Sequence, residues 1–287
     1  MRRAAPAPRA QRRGALALAA LAGLVVASTR AGAQEAMYTA AATMPSPGVT
    51  VVRQQFMFAQ YGASPSEGFD RVQRLELRNT IQYGLIKNLS IAVETPIEFS
   101  HIVPRGGAPT RDEFGAEDVD LMAKWRVFQN DSGGIDTQRI AILGGTRLRT
   151  DGRFSADPHL GAVYTQVIGR HGFNIHAEYW LNTGRDKGIP NFGGRGAADA
   201  AALNLAYVFR FFPAEFDSDS TGAWYLTAEL NNLYETNGDF ETRFSPGLMY
   251  EGRRFGFELM AQLPVYTHLD SRARQNFAIG IGWRLIF

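Results

Sequence analysis

The stretch NFAIGIGWRLIF (276–287) carries an apolar residue at every second position. Phe277, Ile279, Ile281, Trp283, Leu285 and Phe287 share one parity; Ala278, Gly280, Gly282 and Arg284 hold the other, with Ile286 its apolar exception. Successive side chains of a strand point to opposite faces, so this is a strand with one greasy face and one small or polar face. The same period recurs upstream. In 71–85, Leu75, Leu77, Ile81, Tyr83 and Leu85 oppose Arg74, Glu76, Arg78, Thr80 and Gln82; in 89–99, Leu89, Ile91, Val93, Ile97 and Phe99 oppose Ser90, Ala92, Glu94 and Glu98. In 118–127, Val119, Leu121, Ala123, Trp125 and Val127 oppose Asp118, Asp120, Lys124 and Arg126. Period two with a charged second face predicts strands, and comparable segments at 138–149, 159–169, 172–182, 199–212, 223–234, 242–251, 254–267 and 276–287, with a less regular one near 50–61, bring the count to twelve.

A soluble sandwich also alternates, but there the apolar parity is a core shared by two sheets. Three features favour lipid. Aromatic residues gather where strand ends would meet membrane interfaces: Phe128, Phe211, Phe212, Trp224, Phe255 and Phe287 at one end, Tyr61, Phe99, Tyr179 and Tyr234 at the other. Connections alternate between tight turns (86–88, 170–171, 252–253) and long Gly-, Pro- and charge-rich loops (101–117, 183–198), with 130–137 and 213–222 as longer exceptions on the tight-turn side. An even strand number brings both ends of the chain to one side, as in bacterial outer-membrane barrels. The predicted fold is all-β: a transmembrane antiparallel up-and-down β-barrel over 50–287. In hydrocarbon its sheet must close on itself, the last strand on the first, because an open edge finds no water.

The opposite end carries a third kind of signal. Five arginines precede ALALAALAGLVVA (15–27), followed by Ala31-Gly32-Ala33, the pattern of a cleavable secretory signal over 1–33. Its thirteen apolar residues fall short of the roughly 20 a spanning helix needs. Residues 1–33 hold six Arg and no acid, so cleavage turns the formal net charge of +2 into −4, and the basic pI of the whole chain is no argument for nucleic acid. Without cysteine there is no disulfide framework and no thiolate site. Residues 34–49 are then a short segment of the periplasm or the lumen. The expected location is the bacterial outer membrane, with lipid as the partner of the apolar face; an aromatic at Phe287 resembles the terminal signal read by outer-membrane assembly machinery.

GAEDVDLMAKWR (115–126) resembles an element of the phenol-degradation meta-pathway (MetA-pathway) outer-membrane transporter family: a Gly-rich loop, an Asp opening a strand, then an inward Lys and Arg. Gly115, Asp118, Val119, Leu121, Lys124 and Arg126 fit, while Glu117 stands where glycine is usual. Thr95-Pro96-Ile97, Ser245-Pro246-Gly247-Leu248 and Leu263-Pro264-Val265-Tyr266 are similar to that family's later strands, whereas Arg149-Thr150-Asp151-Gly152 replaces its Pro-Thr-Gly. The resemblance implies an outer-membrane barrel for passage or binding of small, often aromatic, organic solutes.

On this register ten basic and nine acidic side chains face inward, which predicts no strong charge selectivity. Candidate solute contacts are Arg74, Arg78, Glu94, Asp120, Lys124, Arg126, Arg147, Arg149, His176 and Glu178. Arg147, Arg149 and Arg153 cluster as a place for an anionic or aromatic group, or as partners of Asp120 or Asp157. His176 and Glu178, two apart, are within reach for proton transfer or a static polar network. Loop acids Asp112, Glu113, Glu117 and Asp118 match no EF-hand spacing, and neither a cofactor nor a metal site is expected. A lipid hydrolase would need Ser and His together on the bilayer face, and none of the five histidines sits so, with His101 and His268 read as loop residues. Two readings of the lumen stay open, a polar channel and a barrel closed by its own ion pairs.

Overall fold

The computed structural model describes residues 35–66, 68–132, 135–150, 155–184, 198–216 and 220–287. The signal segment 1–33, Arg153 and the loop glycines of 193–196 lie outside them. The described residues form no helix and thirteen strand segments: β1 (Thr50–Tyr61), β2 (Phe69–Ile86), β3 (Leu89–Pro104), β4 (Arg111–Ala116), β5 (Val119–Ser132), β6 (Asp136–Leu148), β7 (Ala156–Ile168), β8 (His171–Trp180), β9 (Ala200–Phe212), β10 (Gly222–Glu235), β11 (Phe240–Gly252), β12 (Phe255–His268) and β13 (Gln275–Ile286). Apart from β4 and β5, neighbours in sequence pair antiparallel, and β1 pairs with both β2 and β13, so the sheet is closed. β3 is long enough to pair twice, its first half with β5 and its outer half with β4. β4 and β5 therefore share one wall position, and the barrel has twelve. Its seam is completed by Thr50 and Phe287, whose amides exchange hydrogen bonds at 3.1 and 2.9 Å.

The parity read from the alternation is the parity of exposure. Leu75, Ile81, Leu85, Ile91, Val93, Leu121, Trp125, Leu226, Leu259, Ile279 and Ile281 lie on the outside, while Glu76, Ser90, Glu98, Lys124, Glu229, Glu258 and Arg284 are buried inside. Outward polar residues satisfy one another. Trp283 Nε1 donates to Gln54 Oε1 at 3.0 Å, Gln54 Nε2 to Asn79 Oδ1 at 2.8 Å, and Asn79 Nδ2 to the Thr95 carbonyl at 3.2 Å. Such a chain is what a surface facing hydrocarbon requires, since lipid offers no hydrogen bonds.

Four expectations need correction. The segment 101–117 is no long loop: β3 runs to Pro104 and the chain returns as β4, paired with the outer half of β3. Its sequence RDEFGA does not alternate, and its side chains are exposed on both parities. His101 is thus a strand residue, facing Asp112 across the hairpin at 2.6 Å, and His268 ends β12 rather than lying in a loop. The turn read at 130–137 is shorter, with β5 and β6 extending to Ser132 and from Asp136. Finally, Tyr61 is not in an outward belt. It shares the inward parity of Arg53, Gln55, Met57 and Ala59, and the ring is buried with Phe69, Val72, Ile102 and Ala273 inside the mouth.

Candidate functional site

The lumen is crossed by a length of its own chain. Residues 35–48 precede β1, and Ala36, Met37, Thr39, Ala41, Ala42 and Thr43 are all buried. In extended, irregular conformation this segment exposes backbone amides and carbonyls that no sheet satisfies, so the wall must. Glu229 of β10, fully buried, accepts from Tyr38 N at 3.2 Å, Thr39 N at 2.7 Å and Thr39 Oγ1 at 2.6 Å. Thr165 of β7 accepts from Ala42 N at 2.8 Å. Lys124 Nζ donates to the carbonyls of Ala41 and Thr43 at 2.9 and 3.3 Å, and Arg53 Nη2 to that of Ala36 at 3.1 Å. The apolar side chains find apolar wall: Ala42 packs with Ala141, Leu143 and Val163. Glu35 lies between Lys124 and Arg284, at 3.7 and 3.9 Å.

The segment leaves the lumen through a turn. Gly48, at φ 78°, donates from N to the Gly84 carbonyl at 2.9 Å. A Cβ on Gly84 would stand 2.1 Å from the Ser46 carbonyl oxygen and 2.7 Å from that of Pro45. Gly84→Ala must therefore shift backbone, at a cost of about 1–3 kcal/mol. The expected result is earlier thermal loss of the SDS-resistant folded form. Gly115→Ala, whose Cβ would meet nothing within 4 Å, should leave that temperature unchanged.

Beneath the segment, on the side of the turns at 87–88 and 253–254, lies a vestibule of about 480 Å³. Arg53, Arg78, Lys87, Lys124, Arg126, Arg139 and Arg284 line it against Glu35, Glu94 and Asp131. Above it the wall charges are mostly paired. Arg74 meets Glu98 at 2.8 Å, Arg243 meets Glu241 at 2.5 Å, and Asp239 accepts from the amides of Asp270, Ser271 and Arg272 at 2.6, 3.1 and 2.7 Å, folding the β12–β13 loop into the mouth.

The ten candidate residues fall into separate places. Arg78, Glu94, Lys124 and Arg126 line the vestibule. Asp120, Arg147, His176 and Glu178 belong to one polar cluster whose centre is His159, hydrogen-bonded from Nδ1 to Glu178 at 2.5 Å and from Nε2 to Asp120 at 2.9 Å. His176 Nε2 is 3.1 Å from the other Glu178 oxygen, and Arg147 is 3.8 Å from Asp120. His159 stacks on Trp180, and each of its nitrogens faces a carboxylate, an arrangement that anchors β5, β7 and β8 to one another. Arg74 stands apart with Glu98, and Arg149 lies just beyond β6 with its amide bonded to Ser155. Glu35, Arg53, Glu229 and His159 were not among the candidates. Arg53 was legible only in principle, because Gln54 on the outer parity and Met57 on the inner one blur the alternation of β1.

No protein-family profile matches the sequence, and a search of curated proteins finds no match. Among solved structures, the barrel is similar to an outer membrane channel from Pseudomonas putida F1, with a TM-score of 0.59 at 11% identity over 91% of this chain and 100% of that one. The likeness shows the fold: an outer-membrane β-barrel. Weaker similarity extends to the β domain of the Bordetella autotransporter BrkA (TM-score 0.49, 12% identity, 84% of this chain and 100% of that one) and to the NanC porin (0.47, 11%, 82% and 98%).

Glu229 is the wall group that holds the segment at most points. Glu229→Ala strands three donors, and hydrogen bonds to a charged group contribute about 1.5–3 kcal/mol each. Net loss of even one raises the released fraction about tenfold or more. Added protease should then cut within 35–48 at least several times faster in the refolded variant; an unchanged rate would mean that the segment is held elsewhere.

Proposed function

We propose that the protein is a passive outer-membrane channel for small organic solutes, its lumen closed at rest by residues 35–48. The observation that carries this reading is the kind of wall the segment covers. Apolar contact with the wall at Ala42 is confined to Ala141, Leu143 and Val163, whereas Arg53, Glu229 and Lys124 hold the segment's backbone, groups that water can solvate as well as the segment does. Several keep partners of their own if it leaves: Arg53 with Glu258 at 2.6 Å and Arg284 with Glu251 at 3.1 Å. Release therefore exposes a polar corridor rather than uncompensated buried charge.

The resemblance of 115–126 to the phenol-degradation transporter family supports aromatic compounds as cargo. Liposome swelling with the refolded protein tests this: an aromatic acid should enter faster than a sugar of similar size. Equal rates would make the barrel an unselective pore. No entry of either would favour a closed binding barrel, for which the folded-in β12–β13 loop and the buried Arg272 speak.

A further inference from the structure

Cancelling each vestibule cation against the carboxylates it touches locates a surplus. Arg53 is held by Glu258 and Arg284 by Glu251. Arg78 meets Glu76 at 2.8 Å and Glu94 at 3.3 Å, Arg139 meets Asp131 at 3.2 Å, and Lys124 faces Glu35. Lys87 and Arg126 are left. Among the described residues neither forms an ion pair, and Arg126 Nη2 donates instead to the Lys87 carbonyl at 2.6 Å. They are neighbours, at the turn end of the cavity, so the unbalanced positive charge is concentrated at one mouth.

The rest of the lining is of another kind. Met44 and Pro47 from the segment, Met122 from β5, Val51 from β1 and Ile286 from β13 give the same cavity an apolar side. A volume of about 480 Å³ falls within the usual range for a small-molecule site. An arginine with free donors beside an apolar wall matches a ligand whose body is apolar and whose one charge is a planar two-oxygen anion, which a guanidinium can grip in bidentate fashion.

We propose that the vestibule is a binding site for a small organic carboxylate, its anionic end held by Arg126 and Lys87 and its apolar body lying against Met122 and Ile286. The inference deepens the passage reading and rests on it for its meaning, a last stop of the solute before the periplasm. Binding itself needs no conduction, because the cavity exists with the segment in place. A neutral ring gains only the apolar contact, and a cationic one is opposed by the surplus charge.

The test is calorimetric titration of the full chain, refolded in detergent, with three ring compounds that differ in charge: benzoate, benzamide and benzylammonium. Benzoate should bind about tenfold or more tighter than benzylammonium, with benzamide between them, and added salt should weaken benzoate alone. Arg126→Gln should weaken benzoate about fivefold or more while leaving benzamide unchanged, as expected for loss of a charge-assisted bidentate contact. Lys87→Gln, at an exposed turn position, gives the same direction with less risk to folding. The SDS-resistant form of each variant verifies that the barrel is intact. Equal binding of the three compounds, binding of none, or benzoate affinity untouched by both substitutions overturns the site. Charge-selective binding in a barrel that passes nothing would overturn the passage reading and leave the site standing; conduction without charge-selective binding would do the reverse.

Discussion

Deleting residues 35–45 raises the single-channel conductance of the refolded barrel several-fold and gives it a preference for anions. The first effect follows from volume: the segment runs from β13 and β1 across to β10, β7 and β5, touching Arg284, Arg53, Glu229, Thr165 and Lys124 on the way. The second follows from what it takes with it. Lys124 loses Glu35 and two carbonyl acceptors, while Arg284 keeps Glu251, so a lumen nearly neutral in total charge becomes one unit more positive, with Lys124 facing water at its waist. Reversal potentials in a salt gradient read the preference directly. Unchanged conductance would mean that the wall itself, with its ion pairs and inward-folded β12–β13 loop, closes the lumen.

The second large effect lies on the other face. Ile281→Arg should destabilise the barrel by about 2–4 kcal/mol, the cost of a basic side chain facing the bilayer midplane. Ile281 sits mid-strand on β13, beside Phe56 of β1 and Leu259 of β12, in a row that is apolar around the seam. Phe114→Arg is the matching control. Phe114 is 78% exposed, more than any other large hydrophobic side chain among the described residues. Yet it belongs to β4, which is exposed on both parities, so its replacement should change stability by no more than about 0.5 kcal/mol. Urea unfolding in lipid vesicles separates the two. If both substitutions cost the same, exposure and not lipid contact governs the outer face.

Strand positions, closure and inward parity were legible because hydrocarbon enforces a simple rule over most of the wall: a one-residue slip of β2 would put Arg74, Glu76 and Arg78 into lipid together. Where the rule does not apply the reading failed. β4 carries no alternation and is exposed on both parities. Tyr61 was misplaced because β1 alternates poorly: Gln54 and Gln60 are polar on its outer parity, while Met57 and Ala59 are apolar on the inner parity that Tyr61 shares. The segment 35–48 is a subtler case. Its sequence has no period, so its path had to come from the wall, where the clue was present: Met122, Leu143 and Val163 are apolar on the inner parity, and Ala40 and Ala42 pack against them. Inner apolar residues in a barrel that is otherwise charged inside mark where something dry lies. Of the candidate residues, charge and parity alone turned Lys124 and Arg126 inward, but they gave no sign that Asp120, Glu178 and His176 meet through His159, which requires the relative stagger of three strands.

The chain has no cysteine, so a single engineered pair can fix the segment without competing reactions. Ala42 N and Thr165 Oγ1 are 2.8 Å apart, and the Ala42→Cys, Thr165→Cys double variant brings two thiols to that contact. In planar bilayers its reduced form should show channel openings, oxidation should abolish them, and dithiothreitol should restore them in the same membrane. Openings that continue unchanged through oxidation, with the disulfide verified by mass, would contradict closure of the lumen by residues 35–48.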